Sequence, residues 1–205
     1  MENVLTKLTY GLFVLSVNCY KKDNACIINT AAQIASSPDR ISISVNKTNH
    51  TADMLGYVDD FTISVISEDA DFSLFKRFGF CSGRDVEKFD GFDECIRVAN
   101  ETYAVTKGTN SYISAHIDER IDLGSHILII ATITDSKKLS DIPSATYGFY
   151  HTNIKPKPQN TDKKSVSGKT VFRCKICGFE FEGEELPENY VCPVCKHGAA
   201  DFEKV

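Results

Sequence analysis

"NACIINTAAQIASSPDRISISVNKTNHTADML", residues 24–55, decides how the larger part of this 205-residue chain is built. Its apolar residues come first as a short run and then as an alternation, with polar turns between them. "ISISV" (Ile41 to Val45) places apolar and small polar residues in strict exchange, the period of a half-buried strand. Asn29-Thr30 and the Ser-Pro-Asp step at 37–39 punctuate the segment. "HTADMLGYV" (His50 to Val58) then predicts a short helix capped by Thr51.

Outward from this segment the pattern stays strand-like. "FTISVI" (Phe61 to Ile66) alternates in the same way, while "GLFVLSV" (residues 11–17) and "HILIIATIT" (His126 to Thr134) are nearly continuous, as buried strands tend to be. "DADFSLFKRFGF" (residues 69–80) spaces Phe72, Phe75 and Phe78 for one helical face, and these rings, with Met54, are expected in the core. Many short strands with few helices predict a mainly β barrel rather than a doubly wound sheet. No Gly-x-Gly-x-x-Gly follows a strand, and neither a Walker motif nor a Gly-x-Ser-x-Gly elbow is present. Any dinucleotide is therefore held by something other than a Rossmann turn.

Charge divides the chain further. The formal net charge is −5, which argues against nucleic acid and against an anionic membrane as default partners. Residues 1–151 carry 14 basic and 20 acidic side chains, residues 152–170 carry 5 and 1, and residues 171–205 carry 4 and 7. A basic, Pro- and Ser-containing stretch between two acidic bodies predicts a tether with an r.m.s. span of roughly 22–26 Å. "GLFVLSV" is too short for a signal peptide core followed at once by Lys21-Lys22, and no run approaches the ~20 apolar residues of a membrane helix. Of the 8 cysteines, Cys19, Cys26, Cys81 and Cys95 lack ligand spacing and are expected as small buried hydrophobes. That usage suits a reducing compartment, and a cytoplasmic location is expected.

The other four form C-x2-C-x14-C-x2-C: Cys174, Cys177, Cys192 and Cys195. Two Cys-x-x-Cys turns bring four thiolates into a tetrahedron around one metal, which spacing alone leaves as zinc or iron. A module of about 35 residues also needs that metal to fold.

The surroundings narrow the choice. "CKICGFEFEGE", "LPENYVCPVC" and "ADFEKV" resemble rubredoxin, with Gly178 and Pro193 shaping the ligand turns and Phe172, Phe179, Phe181, Tyr190 and Phe202 forming a small aromatic core. The spacer matches the short form fused to other redox domains. Lys196 stands where a glycine often follows the last ligand, and the usual tryptophan is absent; both bear on the potential more than on the metal. The resemblance implies one iron ion.

Residues 24–55 in turn resemble the flavin reductase family of FMN-binding split β-barrels, over roughly residues 3–150. The resemblance implies that Asn29, Thr30, Ala31, Ala32 and Gln33 line the pyrimidine edge of FMN, and that Asn46, Lys47, Asn49 and Thr51 lie on its ribityl-phosphate arm. Hydroxyls, amides and a cation at that arm suit a phosphate; without the resemblance, "VNKTNHT" is equally a polar loop ending in a cap. "FGFCSGRDVEKF" contributes Ser82, Gly83, Arg84 and Lys88, either as a flavin-approaching loop or as a solvated charged turn. His126 aligns with the family's Gly-Asp-His, but Ser125 replaces the Asp, and a structural His at a strand start is the plainer expectation. The aromatics of "YGFYHTNIKPKP" (Tyr147 to Pro158) either cover a flavin ring or finish the core.

The expected chain is thus a flavin reductase-like domain (1–151), a linker (152–170) and a rubredoxin-like domain (171–205), similar to the high-molecular-weight rubredoxins. That resemblance implies a homodimer passing electrons from NADH or NADPH through FMN and iron to a protein acceptor such as a flavodiiron oxygen or nitric oxide reductase. Two alternatives stand beside it: a flavin and iron carrier that does not oxidise NAD(P)H, and an FMN domain with a structural zinc ribbon. Hydride transfer needs no protein acid or base, so no catalytic side chain is expected.

Overall fold

The computed structural model describes residues 4–156, 170–175, 179–192 and 198–205. The chain divides into two compact units, Met1–Ile154 and Lys155–Val205. No helix among the described residues is long and apolar enough to cross a membrane.

The first unit is organised by one seven-stranded antiparallel sheet. Its strands are β1 (Phe13–Cys19), β2 (Lys22–Ile28), β3 (Ala31–Ser36), β4 (Asp39–Asn46), β5 (Asp60–Ile66), β8 (Thr109–Asp122) and β9 (His126–Lys138), in the order β2-β1-β5-β8-β9-β4-β3. β6 (Cys95–Arg97) and β7 (Tyr103–Val105) pair with each other as a separate short hairpin that is not a member of this sheet. Cys26 and Ile28 from one end of the sheet share a buried cluster with Ile41, Ile43 and Val45 from near the other end. A sheet whose two ends line the same core is rolled up, which is the barrel the sequence pattern predicts.

Alternation along each strand assigns its faces. On β1, Leu15 and Val17 enter the barrel core, while Val14 joins a second cluster outside it with Ile66, Phe75 and Phe78. β4 is buried at Ile41, Ile43 and Val45 and half-buried at the serines between, as its alternation implies. β5 departs from that expectation. Thr62 and Ser64 are as buried as Phe61 and Ile63. Both faces of this strand are covered, because Asn100, Thr102 and Val105, in and around the β6–β7 hairpin, bond to its outer hydroxyls and backbone.

The helices are shorter than the pattern suggests. α1 spans His50–Met54, and its cap is Asn49 rather than Thr51. Thr51 lies inside the first turn with its side chain buried. α2 (Phe72–Phe75) is capped by Asp71, whose carboxylate accepts from the Ser73 amide at 2.6 Å, and it runs into a π-helical turn, Lys76–Phe80. Phe75 and Phe78 are buried as expected. α3 (Tyr147–Phe149) continues as a π-helical turn through Ile154, so Thr152–Ile154 belong to the first unit. Residues 157–169 of the expected linker lie outside the described residues.

The second unit holds a three-stranded sheet, β11-β10-β12, made of β10 (Thr170–Cys174), β11 (Glu180–Gly183) and β12 (Phe202–Lys204).

Candidate functional site

The β3–β4 hairpin gathers the expected flavin contacts at one end. The Ser44 amide donates to the Thr30 carbonyl at 3.2 Å, so Asn29 and Thr30, just before β3, lie beside the end of β4 that leads into Asn46, Lys47 and Asn49. β3 is an edge strand of mostly exposed residues, Ala32 and Gln33 among them. Its outer backbone groups have no strand partner among the described residues, and such an edge supplies alternating donors and acceptors to a planar polar ligand. Gln33 points toward the far end of the hairpin, donating to Asp39 Oδ1 at 3.1 Å.

The Asn46–Asn49 loop is preformed by its own side chains. Asn46 Oδ1 accepts from the Thr48 amide at 2.9 Å and from its hydroxyl at 3.0 Å. The Lys47 amide donates to the Ser125 carbonyl, and its ammonium pairs with Asp122 at 2.8 Å. Asn46 lies opposite His126 in the β4–β9 register, and Ser125 Oγ lies 2.9 Å from His126 Nδ1.

Arg84 joins this loop from 36 residues away: Nη1 donates to the Thr48 carbonyl at 3.2 Å, and Nη2 reaches Asp53 Oδ2 at 2.5 Å. Two stretches nominated separately from sequence therefore meet. His50 Nδ1 lies 3.2 Å from the same Asp53 oxygen. Helix α1 has only five residues, too few for a useful macrodipole. A phosphate here would depend on the side chains of Lys47 and Arg84.

Two nominated residues turn inward instead. The Thr51 hydroxyl accepts from Asn24 Nδ2 at 3.0 Å, in a buried position. Lys88 is 5% exposed, and its ammonium donates to the carbonyls of Ala25 at 2.8 Å and Phe78 at 3.0 Å. A lysine stem packed inside with its head on backbone carbonyls is out of reach of a ligand at the surface, which corrects the expectation of contact through Lys88. Ser82 Oγ caps its own turn by accepting from the Arg84 amide. Gly83 packs against Asn24, where an added Cβ would stand 2.1 Å from Oδ1.

A cleft of about 750 Å³ opens beside Asn29, lined also by Lys7, Thr9, Tyr10, Thr146 and Tyr147. The Tyr147 amide donates to the Tyr10 carbonyl at 2.9 Å, closing the segment before β1 onto α3. Tyr147 was legible as an aromatic of this region. Lys7, Thr9 and Thr146 carried no signal beyond their proximity to it.

In the second unit, Cys174 and Cys192 are both buried. Cys174 ends β10 opposite Phe202, and its amide donates to the Phe179 carbonyl at 2.8 Å. Phe172, Phe181, Tyr190 and Phe202 form a chain of ring contacts, with centroids 6.4, 4.6 and 5.3 Å apart in turn. Cys177, Cys195, Gly178, Pro193 and Lys196 lie outside the described residues. Buried soft sulfur donors fit a thiolate metal such as iron.

A family described as flavin reductase like domain matches residues 5–157, and one described as rubrerythrin, rubredoxin-like domain matches residues 172–203. The chain belongs to the flavin reductase-like family and carries a rubredoxin-like domain C-terminal to it in sequence. A high molecular weight rubredoxin of Moorella thermoacetica is 30% identical, with 98% of each chain covered. A ferric-chelate reductase (NAD(P)H) of Archaeoglobus fulgidus is 30% identical over 76% of this chain and 91% of that protein. In fold, the first unit is similar to an NADH:FAD oxidoreductase of Streptomyces globisporus, with a TM-score of 0.63 at 16% identity, covering 70% of this chain and 83% of that one. The protein is a flavin reductase-like oxidoreductase fused to a rubredoxin domain.

Proposed function

We propose that this protein oxidises NADH or NADPH and delivers the electrons, through FMN and a single iron held by Cys174, Cys177, Cys192 and Cys195, to a protein acceptor. The acceptor class is a flavodiiron oxygen or nitric oxide reductase, and the working form is a cytoplasmic homodimer. The observation that carries this function is the junction in one chain of a flavin reductase-like barrel and a rubredoxin-like domain, matched over nearly its whole length by a high molecular weight rubredoxin.

The residues present fit FMN. Asn29, Thr30 and the open edge of β3 offer polar backbone and side-chain groups to its ring edge. Lys47 and Arg84 supply two cations to its phosphate, each now turned to a carboxylate that an anion would displace or share. Held by Asn29, Thr30, Lys47 and Arg84, FMN would supply the coupling between a two-electron nicotinamide donor and a one-electron iron site. Around it the protein binds and orients; no side chain needs to move a proton.

An anaerobic visible-spectrum titration with NADH tests this function. Bleaching of both flavin and ferric–thiolate bands supports it. A flavin band alone, with zinc or no metal in the tail, rules out the relay. Two bands that respond to neither NADH nor NADPH leave a carrier reduced by another protein.

A further inference from the structure

We infer that Lys88 is a positioning residue: its buried ammonium fastens the loop from Cys81 to Phe89 onto β2 and thereby holds Arg84 over the Asn46–Asn49 loop. The inference rests on the proposed function, in which these loops receive the FMN phosphate.

Lysine is almost never this buried without a specific reason. Here the ammonium donates to the Ala25 carbonyl on β2, the last strand of the sheet, and to the Phe78 carbonyl in the π-helical turn. One side chain thus ties three pieces of backbone together. The backbone of Lys88 is held in turn, since Arg77 Nη1 donates to its carbonyl at 3.0 Å.

A second attachment lies on the other side of Arg84. Gly83 sits so close to the Asn24 side chain that no Cβ fits between them. Asn24 is itself fixed on β2 and donates to Thr51 of α1 at 3.0 Å. Arg84 is therefore carried on a span pinned at Gly83 and Lys88, both pins resting on β2. From that span it reaches Thr48 and Asp53. Without the pins, a long side chain on a surface loop pays more rotational and loop entropy to meet the same anion.

The test uses the full-length protein with Lys88→Met, which keeps most of the stem and removes the donor. FMN and riboflavin affinities are measured by flavin fluorescence quenching, and hydrogen exchange is followed across residues 81–89. FMN binding should weaken by about tenfold, as for loss of a charge-assisted contact. Riboflavin, which lacks the phosphate, should stay within about twofold, since a substitution without shared partners leaves other contacts intact. Exchange should rise in residues 81–89 and stay unchanged in the β8–β9 hairpin. Adding Arg84→Ala to Lys88→Met should weaken FMN no further than Arg84→Ala alone.

Wild-type exchange and affinity in Lys88→Met overturn the role of Lys88, as does an equal loss of FMN and riboflavin binding. If Lys88→Met does not fold, Gly83→Ala pushes the same loop off Asn24 with Lys88 intact. It should show the same phosphate-specific loss, and equal loss of both ligands again overturns the inference. A wild-type protein that binds riboflavin as tightly as FMN instead overturns the placement of the phosphate, and the binding role of Lys88 with it.

Discussion

Lys47, in the loop between β4 and α1, pairs with Asp122, 75 residues away at the end of β8, with Nζ 2.8 Å from Oδ2. The hydrogen bond from Lys47, the Gly124 amide and the Lys47 charge together hold the Asp122 carboxyl below its usual range. Folding depresses this pKa, so whatever the pair contributes is present above about pH 3.9 and fades as the pH falls through the lower folded value. Both groups are exposed, and water and salt screen them. Asp122→Asn should therefore leave the unfolding midpoint nearly unchanged. It should also release Lys47 from a competing anion and tighten FMN by roughly twofold to fivefold at low ionic strength, a gain that salt erases. A fluorescence titration at two salt concentrations checks both. Unchanged affinity would remove Lys47 from the phosphate site.

The hydroxyls on the outer face of β5 make a different kind of demand. Thr62 Oγ1 lies 2.8 Å from Ser114 Oγ and accepts from Thr102 Oγ1 at 2.7 Å, all three residues being buried. Thr62→Val keeps the shape and leaves the buried Ser114 hydroxyl short of a partner, while the Thr102 hydroxyl keeps Asn100 Oδ1 at 2.7 Å. The expected cost is about 1–3 kcal/mol, because an orphaned buried polar group loses its hydration without compensation. Adding Ser114→Ala should cost less than the two single changes together, since one unsatisfied group disappears. Urea unfolding of the three variants reads this directly, and additive costs would mean that the hydroxyls are not coupled.

Burial of Thr62 and Ser64 shows where local pattern runs out. "ISISV" and "FTISVI" read alike, and only the first becomes a half-buried strand. The difference comes from the β6–β7 hairpin, contributed by residues some forty positions later, which no window of the sequence contains. The same holds at the site. That Asn29 and Thr30 lie beside the strand leading into Asn46–Asn49 was legible because these residues flank one hairpin and its following helix. Their meeting with Arg84 depends on how the later loop folds back. Lys88 was misplaced for a physical reason: lysine is normally solvated, and nothing local announces two carbonyls waiting for it. The cysteine spacing, by contrast, carries its meaning in four residues.

Arg97 ties the β6–β7 hairpin to β2. Its guanidinium grips Asp23 with two bonds, of 3.0 and 2.7 Å, and lies 3.9 Å from the centre of the Tyr103 ring. Asn18 donates to the same carboxylate at 2.8 Å. Arg97→Lys keeps the charge but loses the fork and the stacking, for an expected loss of about 1 kcal/mol. Arg97→Ala should lose about 2 kcal/mol, discounted for the part of the pair that faces solvent. Equal stability of the lysine variant and wild type would mean that charge alone matters here.

Cys192 is fully buried in the second unit, close in sequence to Tyr190, whose ring contacts Phe181 and Phe202. In the proposed iron site, replacing this sulfur by a hydroxyl would remove one soft donor and part of the folding free energy that the metal would supply. Cys192→Ser should lower iron per chain by at least about tenfold and abolish the ferric–thiolate bands. The first unit forms its own core, so NADH-dependent bleaching of bound flavin should persist. Transfer to the protein acceptor should fall to the level of a protein truncated after the barrel. Metal analysis, visible spectra and acceptor reduction on one preparation separate the possibilities. If acceptor reduction survives without iron, electrons leave from the barrel directly and the second unit has another task.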